Sequence, residues 1–514
     1  MRTILYILIA SLCTLLSTAW PQPIVLQPWT EVYGTVNGHQ LGKYVTGITP
    51  SANLPYRAAV SQNGSTSFLR LNSPTDTAAQ LTLLGENALT GDLNNDGWTD
   101  IVIGKTVNNY DTVYIYWGTS SGIDTVDPLR IPGENQFDTF EAACVGDVNN
   151  DGYIDLVCSA RNYPAQLGYG KVYFFFGPLH QPAPNDTLIG TGIVDRLGAG
   201  IVVGDLNNDG LTDVIIRGWH TPPTGDSYDY VNVYWGVGID TLNLSLGIQM
   251  KTKSLVVPAL ACFDVNGDGK DDLLWTTADS IDTYINVHYG KTNFDTIPDL
   301  RLRNAGVANF GNVITNGGDL NRDGYNDVLV GASAATITNG YVFVYPGGPE
   351  IDGNYHAYAT RSTDARFGAS VASIGDINGD GLADFIVGAP LYPFGEAKGY
   401  WAIFKGDSTI RVTKVRETMP LPGAITLHQS YPNPFNPRTT IRYDLQQDSE
   451  VKLEVFSTSG RLVTMLVNRR QDAGSHEVVF DGSAYASGVY LYRLTAVTAG
   501  RKTYSAARKL TLLK

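Results

Sequence analysis

One nine-residue pattern holds most of the side chains in this sequence that could do chemistry. It reads DLNNDGWTD at 92–100, DVNNDGYID at 147–155, DLNNDGLTD at 205–213, DVNGDGKDD at 264–272, DLNRDGYND at 319–327 and DINGDGLAD at 376–384. Positions 1, 3, 5 and 9 offer Asp, Asn, Asp and Asp, and position 7 can offer its backbone carbonyl. All of these are hard oxygen donors, and the Gly at position 6 allows a sharp turn, which is the chemistry of a calcium loop. The first ligand set is Asp92, Asn94, Asp96 and Asp100 with the carbonyl of Trp98. The second is Asp147, Asn149, Asp151 and Asp155 with Tyr153, and the third Asp205, Asn207, Asp209 and Asp213 with Leu211. The fourth is Asp264, Asn266, Asp268 and Asp272 with Lys270. The fifth is Asp319, Asn321, Asp323 and Asp327 with Tyr325, and the sixth Asp376, Asn378, Asp380 and Asp384 with Leu382. Six bound Ca2+ ions are therefore predicted. An EF-hand would need an acid at position 12. Position 12 here is Ile103, Cys158, Ile216, Trp275, Val330 or Val387, all core-like.

The elements that must hold these loops are strands. A short apolar run follows each position 9, as in IVIG, LVCS and FIVG, so the loop caps a β-hairpin rather than opening a helix. The loop starts recur every 55 to 59 residues, which marks a repeat architecture. An aromatic strand follows, as in VYIYWG (113–118), then a short one such as DLRL (299–302), then an FG-x-x-V stretch that leads into the next loop. Four strands per repeat fit one propeller blade. One period before Asp92 lies TVNGHQLGK (35–43), read as a degenerate seventh copy in which Thr35, His39 and Lys43 replace the acids and no metal binds. The fold expected is all-β: a seven-bladed β-propeller over 25–415.

The FG-x-x-V stretches, the G-D-x-N-x-D-G-x-x-D loops and Gly388-Ala389-Pro390 together resemble the FG-GAP repeats of the integrin α-subunit propeller and its bacterial relatives. The sequence departs from that pattern at 35–43 and at Phe263, which replaces the Gly before the fourth loop. The resemblance implies a calcium-dependent seven-bladed propeller used in adhesion and recognition, with an extracellular protein or polysaccharide as partner.

A linker at 416–424 precedes a change of text. Residues 425–514 alternate in short strands and suggest a small Ig-like antiparallel β-sandwich. YPNPFNPRTTIRY, VKLEVFSTSGRLV and SGVYLYRL resemble the type A C-terminal sorting domain of the type IX (Por) secretion system. That resemblance implies contact with the type IX machinery, and release or surface attachment outside a Bacteroidota-like Gram-negative cell. Residues 1–19 read as a signal peptide, with Arg2, an apolar run from Ile4 to Leu16, and Ser17 and Ala19 as small residues before the cut. The apolar run is too short to span a bilayer, and no later stretch could, so no transmembrane span is expected in the mature chain. The net charge of −14 excludes a nucleic-acid surface, which should be basic.

No HExxH, G-x-S-x-G or phosphate-loop pattern is present, so the chain is read as a binding module rather than an enzyme. The alternative is a polysaccharide lyase or hydrolase whose dispersed site a single sequence cannot assemble. The ligand face expected is opposite the metal loops. It is rich in aromatic side chains: Tyr163, Tyr169, Trp219, His220, Tyr228, Tyr230, Tyr392 and Phe394. Cys144 and Cys158 could pair across a hairpin, but plain core packing suits their positions better.

Overall fold

The computed structural model describes residues 23–410 and 425–513, apart from short stretches at 63, 72–76, 108–109, 136–138, 165–166, 193–194, 222–225, 239, 254–258, 279–282, 305–306, 334–339, 362–365, 393–395, 428–429, 431–432, 434, 446–448, 458–460, 472–473 and 499–502. The segment read as a signal peptide, the stretch read as a linker and Phe394 lie outside the described residues. No helix occurs among the described ones. The chain divides into two compact units, one ending at Thr413 and the other beginning at Lys414.

The first unit contains seven sheets of at least four strands, each read here as a blade. Blade 2 shows the plan: Glu86–Gly91, Asp100–Val107, Tyr110–Tyr116 and Leu129–Pro132 pair antiparallel in that order. The nine-residue loop joins the first two strands. The inner strands are Val45–Gly47, Glu86–Gly91, Phe140–Gly146, Gly200–Gly204, Leu260–Phe263, Phe310–Gly318 and Ser370–Gly375. Each touches the next, and Ser370–Gly375 touches Val45–Gly47, so the ring is closed. Both faces of a blade pack on neighbouring blades. The first half of the second strand is therefore buried without alternation, and in Asp155–Ala160 the whole strand is.

Ring closure uses the start of the chain. Thr30–Tyr33 pairs antiparallel with Tyr400–Phe404 and completes blade 7. Ile24–Val25 runs parallel to Ala357–Arg361 on blade 6. Arg361 ties the two blades together. Its guanidinium bonds Glu31 and the Tyr33 hydroxyl and lies 4.2 Å from the Tyr400 ring centre and 4.6 Å from that of Tyr392.

Blade 1 differs from the sequence reading. YVTGI supplies the inner strand, Val45–Gly47, and its hairpin partner is Ala58–Gln62. The counterpart of the metal loop is therefore 48–57, which contains no acid. Residues 35–43 instead lead from blade 7 into blade 1, and Leu41-Gly42 takes the place of FG, with Gly42 at φ 79° as Gly368 is at φ 81°. The constant step of 57 residues failed because the first hairpin lies closer to the second than the later ones lie to each other.

The second unit has two antiparallel sheets. Ile425–Leu427, Arg438–Leu445 and Gly474–Asp481 form one; Leu462–Gln471, Ser449–Ser457, Gly488–Thr498 and Thr503–Leu512 form the other. Ile441, Tyr443, Leu453, Val455, Tyr492 and Leu510 join them in one buried core.

Candidate functional site

The six acidic loops share one backbone. Position 4 is left-handed in all of them: Asn95, Asn150, Asn208 and Arg322 lie at φ 57° to 63°, and Gly267 and Gly379 at 79° and 78°. Asn and Gly tolerate that conformation best, which explains their recurrence there. Arg322 is the exception, and its guanidinium donates to the Asp380 carbonyl of the next blade at 2.7 Å. Position 6 is glycine at φ 79° to 91° throughout. Related contacts stitch other blades on this face. Thr212 N–H donates to Asn150 Oδ1 at 2.7 Å, and Asn53 of blade 1 both donates to and accepts from Thr99 of blade 2.

The carboxylates divide into two kinds. In the first loop Asp92 accepts the N–H groups of Asp96 and Gly97, Asn94 accepts Asp96 N–H, and Asp96 accepts Trp98 N–H. These groups are exposed or partly so. Asp100, at position 9, is fully buried and accepts Leu93 N–H at 2.8 Å and Gly118 N–H at 2.7 Å. Asp155, Asp213, Asp272, Asp327 and Asp384 repeat that double grip. The sequence reading assigned position 9 only to metal. The structure gives it a second duty, anchoring the loop to the chain beyond the third strand. Burial, with added repulsion from neighbouring loop carboxylates, pushes Asp100, Asp155, Asp213 and Asp384 up to about 6 and Asp272 and Asp327 up to about 7.

The donor set fits a hard cation, since each loop presents only carboxylate, amide and backbone oxygen. A carboxylate has about four lone-pair sites, so position 9 can hold two N–H groups and retain capacity for a further partner. Among the described residues, however, no three acidic, histidine or cysteine side chains converge on one point. In the fourth loop Lys270 Nζ pairs with Asp268 at 3.0 Å and occupies part of that set.

The seven described residues of the eight expected on the opposite face fall in three separate places. Trp219, His220 and Tyr228 gather on blade 4, where Arg196 lies 4.7 Å from the Trp219 ring, Lys251 4.6 Å from that of Tyr228, and His220 Nδ1 3.3 Å from Asp195. Tyr230 is buried in the core and its hydroxyl donates to the Asp195 carbonyl at 3.3 Å, so it is not a rim residue. Tyr163 and Tyr169 belong to blade 3, with Lys171 4.9 Å from the Tyr163 ring. Tyr392 packs in the closure cluster around Arg361. Cys144, Cys158 and Cys262 are free thiols; Cys144 and Cys158 pack into different core clusters.

A cavity of about 430 Å3 that sequence reasoning missed opens where the inner strands of blades 1, 2 and 3 begin, at the ends away from the acidic loops. Its wall includes Lys43, Tyr44, Glu86, Lys105, Asp111, Glu141 and Arg161. Glu86 accepts Lys43 Nζ at 2.6 Å and Gly64 N–H at 2.9 Å. Nothing in their spacing, from 43 to 161, could have signalled that these residues meet.

Comparison with known proteins places these features in families. Residues 92–158 match an FG-GAP-like repeat, and 310–345 and 367–400 match the FG-GAP repeat. Residues 429–505 match a secretion system C-terminal sorting domain. Integrin alpha-PS3 of Drosophila melanogaster is 36% identical over 143 residues, 25% of this chain and 13% of that protein. Integrin alpha pat-2 of Caenorhabditis briggsae is 28% identical over 225 residues, 38% of this chain and 18% of that one. Integrin alpha-5 of Xenopus laevis is 27% identical over 210 residues, 37% and 20% respectively. The chain thus spans a fifth or less of the length of these relatives. Among solved structures, CopC from Methylosinus trichosporium OB3b aligns at 12% identity and a TM-score of 0.14, over 17% of this chain and 92% of that one, and bears on nothing here. The chain carries integrin-α-like FG-GAP repeats in an all-β propeller, followed by a secretion-system sorting domain.

Proposed function

From FG-GAP repeats ahead of a sorting domain, we propose that this chain is an exported calcium-binding recognition or adhesion module, carried out by the type IX machinery through residues 425–514. The observation that carries the reading is the recurrence of six oxygen-only loops at one position of every blade but the first. In each loop the carboxylates at positions 1, 5 and 9, the Asn at 3 and the carbonyl at 7 would hold Ca2+. The ion would supply fixed positive charge where carboxylates repel, and so stiffen the hairpins. Ligand recognition then falls to the other end of the blades, where the inner strands begin.

The test is capture of a partner. The intact protein, immobilised in calcium, should retain a surface protein or a polysaccharide from its environment and release it on chelation. Retention of nothing, or cleavage of an offered polysaccharide, would count against a recognition module.

A further inference from the structure

The cavity at blades 1 to 3 has a composition that selects a ligand class. Lys43 and Glu86 are bonded to each other and form part of its frame. Lys105, Asp111, Glu141 and Arg161 complete the charged wall, two cations and two anions. Arg161 and Glu141 stand 3.7 Å apart, an open pair compared with the 2.6 Å of Lys43 and Glu86. Tyr44 is 36% exposed and offers a ring beside them.

Carboxylates only accept hydrogen bonds, and ammonium and guanidinium groups only donate. A wall that alternates the two suits a ligand whose every group does both, which is a hydroxyl. The charges balance, so neither a polyanion nor a basic peptide gains from the field. Tyr44 and the buried Phe140 are the aromatic side chains of its described lining. One ring against several charged groups is the usual complement of a sugar, with its C–H face and its rim of hydroxyls. The volume lies in the range of small-ligand sites, about 300 to 1,000 Å3.

The backbone at the rim turns through the left-handed region. Asn87 and Thr139 line the cavity at φ 57° and 58°. Thr139 precedes the buried Phe140 as Arg196, Asn309 and Arg366, also at positive φ, precede the buried Leu197, Phe310 and Phe367, so this turn recurs among the blades. Thr139 Oγ1 accepts Asn162 Nδ2 at 2.6 Å, which fixes it.

We propose that this cavity binds a short uncharged oligosaccharide, with the Tyr44 ring under one sugar face and Glu141, Arg161, Lys105 and Asp111 sharing its hydroxyls. The inference rests on the recognition reading above and gives it a ligand class and an address. Titration calorimetry of the intact protein in calcium, against short gluco-, manno-, xylo- and galacto-oligosaccharides, tests it, with oligogalacturonate and a basic peptide as the charged probes. At least one neutral sugar should bind. Tyr44→Ala and Glu141→Gln should each weaken it about tenfold or more with melting temperature and calcium content unchanged. Binding of no neutral sugar, preference for a charged probe, or affinity indifferent to both cavity variants would overturn the proposal. If those two variants still capture a partner as the wild type does, recognition stands and only this address is wrong. If the wild type captures nothing, the recognition reading itself has failed.

Discussion

At the scale of residues, position 9 and position 5 make different predictions although both are aspartates in one motif. Asp213 is buried and holds Leu206 and Gly236 N–H, whereas Asp209 is exposed in the loop. Asp213→Ala leaves two buried donors unpaired and should cost about 3 kcal/mol with or without calcium. Asp209→Ala should lower the melting temperature in calcium but scarcely change that of chelated protein; denaturation curves in calcium and in EDTA separate the two. The raised position-9 carboxyls also set a pH dependence. Unfolded, they would titrate at about 4. Between there and about 7 the calcium-free fold holds more protons than the unfolded chain, so its stability falls as pH rises through that window. His288, lowered to about 4 by burial, acts in the opposite sense below about 6.5, but it is one group against six. Chelated protein should therefore melt higher at about pH 5.5 than at about pH 7.5, and bound calcium, which needs ionised ligands, should reverse that order. The motif made the donors legible in the sequence. It could not show that position 9 also anchors backbone, because its partners Gly118 and Gly236 lie a whole strand further on.

At the scale of elements, the sequence was most readable where one repeat resembles the next. Blades 2 to 7 follow the expected strand, loop, strand order because each apolar run is buried between two neighbours. Blade 1 was misplaced by a period that its hairpin does not keep, and closure was not legible at all. Thr30–Tyr33 carries no repeat signature, since it completes a blade whose other strands lie near residue 400. The Arg361 cluster makes that closure testable. Arg361→Ala removes an ion pair, a hydroxyl contact and three ring contacts, and should cost about 2 kcal/mol. Deleting 24–33 should leave blade 7 with an open edge, lower the melting temperature further and promote aggregation, read by light scattering on heating. The aromatic rim was over-read for a related reason. Tyr230 sits in a strand buried on both faces from Asp229 to Tyr234, and a tyrosine with a backbone carbonyl to bond is as content in the core as on a rim.

At the scale of the molecule, the two units carry opposite charge: residues 20–427 sum to −20 and 428–514 to +5. The ring closes on its own first strands, so nothing in it requires the tail. Removing 425–514 should leave a folded propeller that stays in the periplasm, and fusing that segment to an exported reporter should carry the reporter to the surface or medium. A truncated protein that still reaches the medium at normal yield would contradict the sorting role. The proposed calcium role requires one ion in every blade but the first. Native mass spectrometry of the full chain, equilibrated with calcium, tests it most directly. The account predicts six bound ions, from the loops at 92–100 to 376–384, and five after Asp209→Ala. A wild-type mass with no calcium would contradict it.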